Sequence, residues 1–377
     1  MKIGIVTFHA SLNCGSMLQA FALQNILKER YGADVEIVDF SSRGQRQMYS
    51  VVDTHLRPRV LKRNLRVFPY RKEIRIMQND FEIFKGKYFK LTPKFYKSFY
   101  QLKELHDRYD LLVAGGDQVW NIRCRDNDMA YFLAFPTAAR KISYSPSLGA
   151  VNINTAKKNL AQYRKCLMEF SHLSIREPNG KKWLEQLTGR EVKIIADPTM
   201  LYVPDDWRRL LPVQQIEEKY IFYYAFNYGN KRINKALQEA SNKLKMPVYV
   251  IERKEWNICG LEKYGFKLWE KADPLAFVNM ISNAAYVVTD SFHGTVFSCL
   301  FNKQFCNCRH NIVQDKDDDR SSSLLSVLGL ESRYVIGEEL KAEDLMIPID
   351  YDSVNRMIED IRKEAFCYLD SAVLEKG

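Results

Sequence analysis

Short apolar runs alternate with longer amphipathic stretches along most of the chain. Residues 2–8 (KIGIVTF) read as a strand, 17–30 (MLQAFALQNILKER) as a helix and 35–40 as a second strand. That βαβ opening implies a parallel sheet. The alternation resumes with strands at 110–114 (DLLVA) and 141–145, a helix around 155–170, and strands at 173–176 and 192–196. A second series runs from a strand at 220–227 through a helix at 231–244, a strand at 248–251 and a helix at 274–283. Residues 354–369 predict a terminal helix able to pack across either half. Residues 41–100 differ in character, rich in basic and aromatic residues and poor in strand patterns, and read as a helical insert or lid. The charged segment 204–218, with Pro204 and Pro212, is the expected junction. The pattern therefore predicts an α/β chain of two Rossmann-like domains facing a central cleft, 1–210 with its insert at about 41–100 and 211–377 with the terminal helix. Residues 315–320 read as a mobile charged loop.

Composition narrows this only a little. A chain of 377 residues, 46% apolar, can build two ordinary cores. Its formal net charge of +10 suits an anionic partner without choosing among a phosphorylated metabolite, a polysaccharide, nucleic acid and a membrane surface. Nucleic acid is not expected, because no recognised binding motif accompanies the charge. Nothing approaches the ~20 apolar residues of a membrane span, and the opening MKIGIVTF lacks the features of a secretory signal, so a cytoplasmic protein is expected. The eight cysteines are scattered without a CxxC pair, which predicts reduced core thiols, Cys306 and Cys308 included, rather than a zinc site. Between 57 and 75, eight basic residues face Glu73 alone, interleaved with apolar side chains. A solvated helical face is the ordinary outcome of such a run. Peripheral contact with anionic lipid at the inner face of the membrane is the other reading.

The chemistry concentrates at 284–305 (AAYVVTDSFHGTVFSCLFNKQF), where a strand turns sharply into a helix. Such a helix start offers backbone N–H groups and a positive dipole end, a ready anion site, and His293 adds a titratable group. The N–H groups of 294–296, with the hydroxyl of Ser291 or Thr295, are the expected phosphate ligands, and Gly294 sits at the turn. The first loop, 9–16 (HASLNCGS), places Asn13, Gly15 and Ser16 at another helix start. Cys14 beside them reads as a core residue. After the strand at 110–114, Gly115 and Gly116 permit close backbone approach, Asp117 and Gln118 are an acceptor-side or base pair, and Trp120 either stacks on a sugar or fills the core.

Taken in order, GIVTF…NCGSMLQAFAL, GGDQVWN (115–121), SYSPSLG (143–149), SIREP (174–178), ADPTML (196–201), TDSFHG (289–294) and SSSLLSVLGL (321–330) resemble the polysaccharide pyruvyl transferase family. The resemblance implies a glycosyltransferase-B-like pair of domains. It also implies transfer of the enolpyruvyl group of phosphoenolpyruvate to a sugar or lipid-linked oligosaccharide, commonly as a cyclic ketal with release of phosphate. His293 would then be the acid/base and Asp117 an acceptor-side group. Phosphoenolpyruvate is a donor substrate, and neither a further cofactor nor a metal is expected. Some members carry arginine two positions before the histidine, where this chain has Ser291. Arg176 in SIREP is the first substitute, since its planar fork suits carboxylate and phosphate alike. Arg320 is the second, and a basic insert residue such as Arg71 the third. The rivals are a glycosyltransferase of the same build using a nucleotide-sugar, and a non-catalytic scaffold for envelope assembly.

Overall fold

The computed structural model describes residues 1–52, 58–309, 318–337 and 339–375. In the first half, strands β1 (Lys2–Val6), β2 (Asp34–Ile37), β3 (Leu111–Gly115) and β4 (Arg140–Tyr144) form an all-parallel sheet in the order β2-β1-β3-β4. An isolated parallel bridge from Ile142 to His172 leads on to a two-stranded parallel piece, β5 (Ser174–Ile175) and β6 (Lys193–Ile194). The second half carries β7 (Ile221–Tyr224), β8 (Val248–Val250), β9 (Lys267–Leu268), β10 (Tyr286–Thr289), β11 (Gln304–Arg309) and β12 (Tyr334–Ile336). Their order, β12-β11-β10-β7-β8-β9, reverses direction between β7 and β10. The first sheet reverses between β1 and β3. These are the topological switch points at which open α/β sheets bind ligands.

The helices are α1 (Cys14–Tyr31), α2 (Arg43–Met48), α3 (Pro58–Val67), α4 (Arg71–Tyr88), α5 (Leu160–Met168), α6 (Pro178–Thr188) and α7 (Pro204–Leu210), then α8 (Lys231–Leu244), α9 (Arg253–Cys259), α10 (Pro274–Asn283), α11 (Phe292–Leu300), α12 (Arg320–Val327), α13 (Ala342–Met346) and α14 (Tyr351–Leu374). Their ends follow the local chemistry. The Asn13 side chain accepts from the Gly15 and Ser16 amides at 2.9 and 3.3 Å to start α1, and Gly32 in the left-handed region (φ +58°) ends it. Asp273 and Pro274 open α10 in the same way. Within 41–100 the described residues form the helices α2, α3 and α4 of the expected helical insert, followed by an extended stretch that bridges Ile37 to Leu91 and Phe40 to Tyr96.

The segment expected as a junction is partly the helix α7. Its Trp207 is fully buried, with ring centroids 6.0 Å from Phe21 of α1 and 5.0 Å from Phe297 of α11, so one side chain joins the two halves. The terminal helix α14 also touches both. Arg140 donates to the carbonyls of Ala372 and Val373, the Tyr368 hydroxyl donates to the Ser143 carbonyl, and Tyr351 at its start donates to the Lys303 carbonyl. The sequence pattern above predicts neither the helices α6, α9 and α13 nor the strands β9, β11 and β12. Cys306 and Cys308 are buried, as expected. Residues 315–317 of the charged loop lie outside the described residues. No helix among the described residues is long and apolar enough to cross a membrane.

Candidate active site

Five loops meet at the carboxyl ends of β1, β3, β5, β6 and β10. The closest approach is between the starts of α1 and α11. A Cβ built on Gly15 would lie 2.1 Å from Nδ1 of His293, so only glycine lets the two helix ends come this near. His293 is 5% exposed. Its Nε2 is 3.4 Å from Oδ2 of Asp197, the residue that follows β6.

The same Asp197 oxygen receives Nη1 of Arg176 at 2.8 Å. Burial alone would raise the Asp197 carboxyl, but His293 and then Arg176, with the Thr199 backbone N–H, outweigh it and hold the group well below the usual range. Arg176 is almost wholly buried and stacks 4.1 Å over the ring of Phe292. Asp117 lies 3.9 Å from its Nη2 and Glu177 4.0 Å from its Nε. Neither distance is a hydrogen bond, so Nε and Nη2 have no partner among the described residues. Two buried guanidinium donors left open are an unsatisfied demand for an oxyanion.

Asp117 is held by its turn. It adopts φ +55°, the left-handed region uncommon for a non-glycine residue, directly after Gly116 at φ +63° at a strand end. The Ser16 hydroxyl donates to its Oδ2, and its carbonyl accepts from the Ser147 amide at 2.7 Å. Glu177 is buried just before α6, with Oε1 accepting from the Leu148 amide at 2.7 Å and Oε2 unpaired. Burial pushes its carboxyl up to about 7, against the pull of Arg176 and Arg320.

A cavity of about 230 Å³ opens beside Arg176 and is lined by Arg176, Asp197, Phe292 and Arg320 among apolar walls from Ile195, Met200 and Leu324. Arg176 and Arg320 thus reach one cavity. The Arg320 fork is at present taken by Asp318, at 2.7 and 2.5 Å. Arg71 does not join them; it stacks 4.4 Å over Phe68 within the insert. A second cavity of about 420 Å³ lies between the insert and the ends of β7 and β8, bordered by Tyr49, Arg66, Phe226 and Glu252.

Several expected ligands are otherwise engaged. The Ser291 hydroxyl accepts from the Gly294 amide at 3.3 Å, and the Thr295 amide donates to the Ser291 carbonyl at 3.0 Å. The Thr295 hydroxyl donates to that same carbonyl and accepts from Asn307 Nδ2 at 2.6 Å. These groups build the turn, and Gly294 is required there because a Cβ would meet Thr289 Oγ1 at 2.2 Å. Asn13 is consumed as the cap of α1. Gln118 accepts from Asn121 Nδ2 at 2.8 Å and packs on Gly149. Trp120 is no sugar platform: it is fully buried, stacked on Phe132 with centroids 5.5 Å apart, and its Nε1 donates to the Tyr131 carbonyl. The Cys14 thiol donates to the Ala272 carbonyl at 3.8 Å, and burial raises it well above its usual value, which disfavours the thiolate. From the sequence, Asp197 and Glu177 are expected only as structural ion-pair partners for Arg176, a pairing that Asp197 makes, and Phe292 has no expected role. The signal lay in plain view, since each sits inside a quoted motif directly after a strand or beside a candidate.

Comparison with solved structures supports the architecture. The chain superposes over 100% of its length on a UDP-N-acetylglucosamine 2-epimerase (97% of that chain, 12% identity, TM-score 0.54). It does so equally on a putative UDP-N-acetylglucosamine 2-epimerase from Listeria monocytogenes (97% of that chain, 12% identity, TM-score 0.52). A third likeness is MnaA of S. aureus, solved with UDP (100% and 99% covered, 13% identity, TM-score 0.50). At such identities the likeness shows the fold, two Rossmann-like domains of glycosyltransferase-B type, and nothing of the ligand. No curated protein matches the sequence. A family model does, over residues 13–311, a span that holds Gly15, Asp117, Arg176, Asp197 and His293 but not Arg320. The chain therefore belongs to the polysaccharide pyruvyl transferase family and is an enzyme of the transferase class.

Proposed function

We propose that this transferase moves the pyruvyl group of phosphoenolpyruvate onto two hydroxyls of a sugar, in a polysaccharide or its lipid-linked precursor. The observation that carries the reading is the buried Arg176 fork, two of whose donors lack partners beside a cavity that Arg320 also lines. A small dianion with both carboxylate and phosphate fits that demand. Arg176 thereby supplies what the missing arginine before Phe292 and His293 would provide, and Phe292 supports it from below.

In the reaction, the first hydroxyl bonds to C2 of the donor while C3 takes a proton. The C2–O bond to phosphate breaks, and the second hydroxyl closes on C2. Each hydroxyl gives up one proton; one goes to C3 and the other leaves with phosphate. His293 can carry protons in both directions, and Asp197, 3.4 Å from its Nε2, orients the ring. Asp117, held by Ser16 and 3.9 Å from Arg176, would receive the acceptor hydroxyl's proton. No additional cofactor is needed.

The test is phosphate release from phosphoenolpyruvate by the wild type and His293→Ala, over acceptors containing galactose, glucose or N-acetylmannosamine. Acceptor-dependent release that the substitution abolishes is the expected result. Absence of release with every acceptor, with a melting temperature raised by UDP but not by phosphoenolpyruvate, would put the nucleotide-sugar glycosyltransferase first. Pyruvylation in cells that survives His293→Ala would favour the scaffold.

A further inference from the structure

The helix α3 carries an apolar stripe that the fold leaves uncovered. Leu61, Leu65 and Phe68 are 61, 69 and 55% exposed, and their spacing of four and three residues puts them on one side, one above another. Three large apolar side chains on one exposed stripe are unusual for the surface of a soluble domain. The surroundings are basic. Between 58 and 76 the sequence has seven Lys and Arg against Glu73 alone. Lys62, next to the stripe, and Lys72, the second residue of α4, are both exposed. Arg71 lays its guanidinium 4.4 Å over the Phe68 ring, so its charge sits at the polar edge of the apolar stripe.

A basic helix with an exposed apolar face has the chemistry of an element that lies in the plane of a bilayer, its apolar side among the acyl chains and its cations at the headgroups. The charge selects the occupant, since a neutral surface or an acidic-poor protein patch would leave the cations unmatched. We propose that α3 and the turn 68–70 dock this protein onto an anionic lipid surface through Leu61, Leu65 and Phe68, with Lys62, Arg71 and Lys72 at the headgroups. This stands independently of the pyruvyl reaction, which it neither requires nor tests.

The experiment is co-sedimentation of the full chain with vesicles of phosphatidylcholine alone and of phosphatidylcholine mixed with phosphatidylglycerol, in low and high salt. Binding is expected only with phosphatidylglycerol, and it should weaken in high salt. The triple variant L61S/L65S/F68S should lose it by about tenfold or more, and so should the pair K62E/K72E. Because these side chains are exposed, both variants should keep the far-ultraviolet circular dichroism and melting temperature of the wild type. Binding that is equal on both vesicle types, that survives the triple substitution, or that is absent with the folded wild type overturns the proposal. So does a wild-type dimer by light scattering that the triple variant converts to monomer, because the stripe would then be a protein interface.

Discussion

Replacing Glu177 by Gln removes a buried charge that the fold tolerates poorly, and its effect should depend on pH in a calculable way. Burial pushes the folded carboxyl up to about 7 from its ordinary 4.5. Folding therefore favours the protonated form: the group's contribution is fully present below the unfolded value and is lost as pH rises through about 7. At about 1.4 kcal/mol per pKa unit, the full loss is about 3 kcal/mol. About 2 kcal/mol of it should fall between pH 5 and pH 8.5. In E177Q the amide oxygen can still accept from the Leu148 amide, and no charge develops. The variant should consequently match the wild type within about 1 kcal/mol at pH 5 and gain about 2 kcal/mol relative to it by pH 8.5. Urea unfolding of both proteins across this range measures the difference directly. Glu252, which burial also pushes up to about 7, affects both proteins alike and cancels. A difference that stays flat with pH, or that favours the wild type at high pH, would refute the reasoning that Arg176 and Arg320 fail to compensate the Glu177 charge.

Arg176→Lys keeps the charge and loses the fork; KM for phosphoenolpyruvate should rise by about 10- to 100-fold in steady-state phosphate release. Arg176→Met leaves Asp197 buried without its nearest cation and should cost about 3–5 kcal/mol of stability, read by denaturant unfolding. Gly15→Ala drives a methyl group into the His293 ring and should cost about 1–3 kcal/mol together with most of the activity. Trp120→Ala should lose about 3–5 kcal/mol of stability through its core cavity, while the acceptor KM of the protein that remains folded is unchanged.

The parallel strands were legible because each is short, apolar and followed by polar turn residues; Leu111–Gly115 is buried throughout, and its hydrophobic run says so. The helices with caps were legible to within a few residues, as at Asn230 and Asp273. The edge of the second sheet was not, since β9 and β12 have only two and three residues and little alternation. For the site, strand-end position identified Asp117, Arg176 and His293, all of which the structure brings together. It could not separate a hydroxyl that faces a ligand from one that closes a turn. Ser291 and Thr295 are turn builders, and a serine or threonine after a strand has the same appearance in either role. Likewise Trp120 in GGDQVWN gives no sign of the phenylalanine it stacks on, because that contact comes from twelve residues further along.

The position before Phe292 shows how the fold absorbs a change that the motif alone makes look damaging. An arginine at 291 would forfeit the hydroxyl that caps α11, because among the described residues no other side chain accepts from the Gly294 amide. With Ser291 the turn is closed locally, and in the function proposed above the cationic duty falls to Arg176, which follows β5 in the other half of the chain. That transfer has a structural consequence. The guanidinium is now anchored by Asp197 and Phe292, one residue from each half, and Asp197 also faces His293. A ligand gripped by Arg176 is therefore sensitive to how the halves meet, more than it would be with an arginine beside the histidine on α11. Donor binding and closure of the two halves should be coupled for this reason. Substitutions at Trp207, which packs on Phe21 and Phe297 and lies outside the cavity, should weaken phosphoenolpyruvate binding as well as stability. Calorimetric titration of Trp207→Phe, folded but loosened, measures this. Unchanged donor affinity would show that Arg176 is positioned by its own half alone.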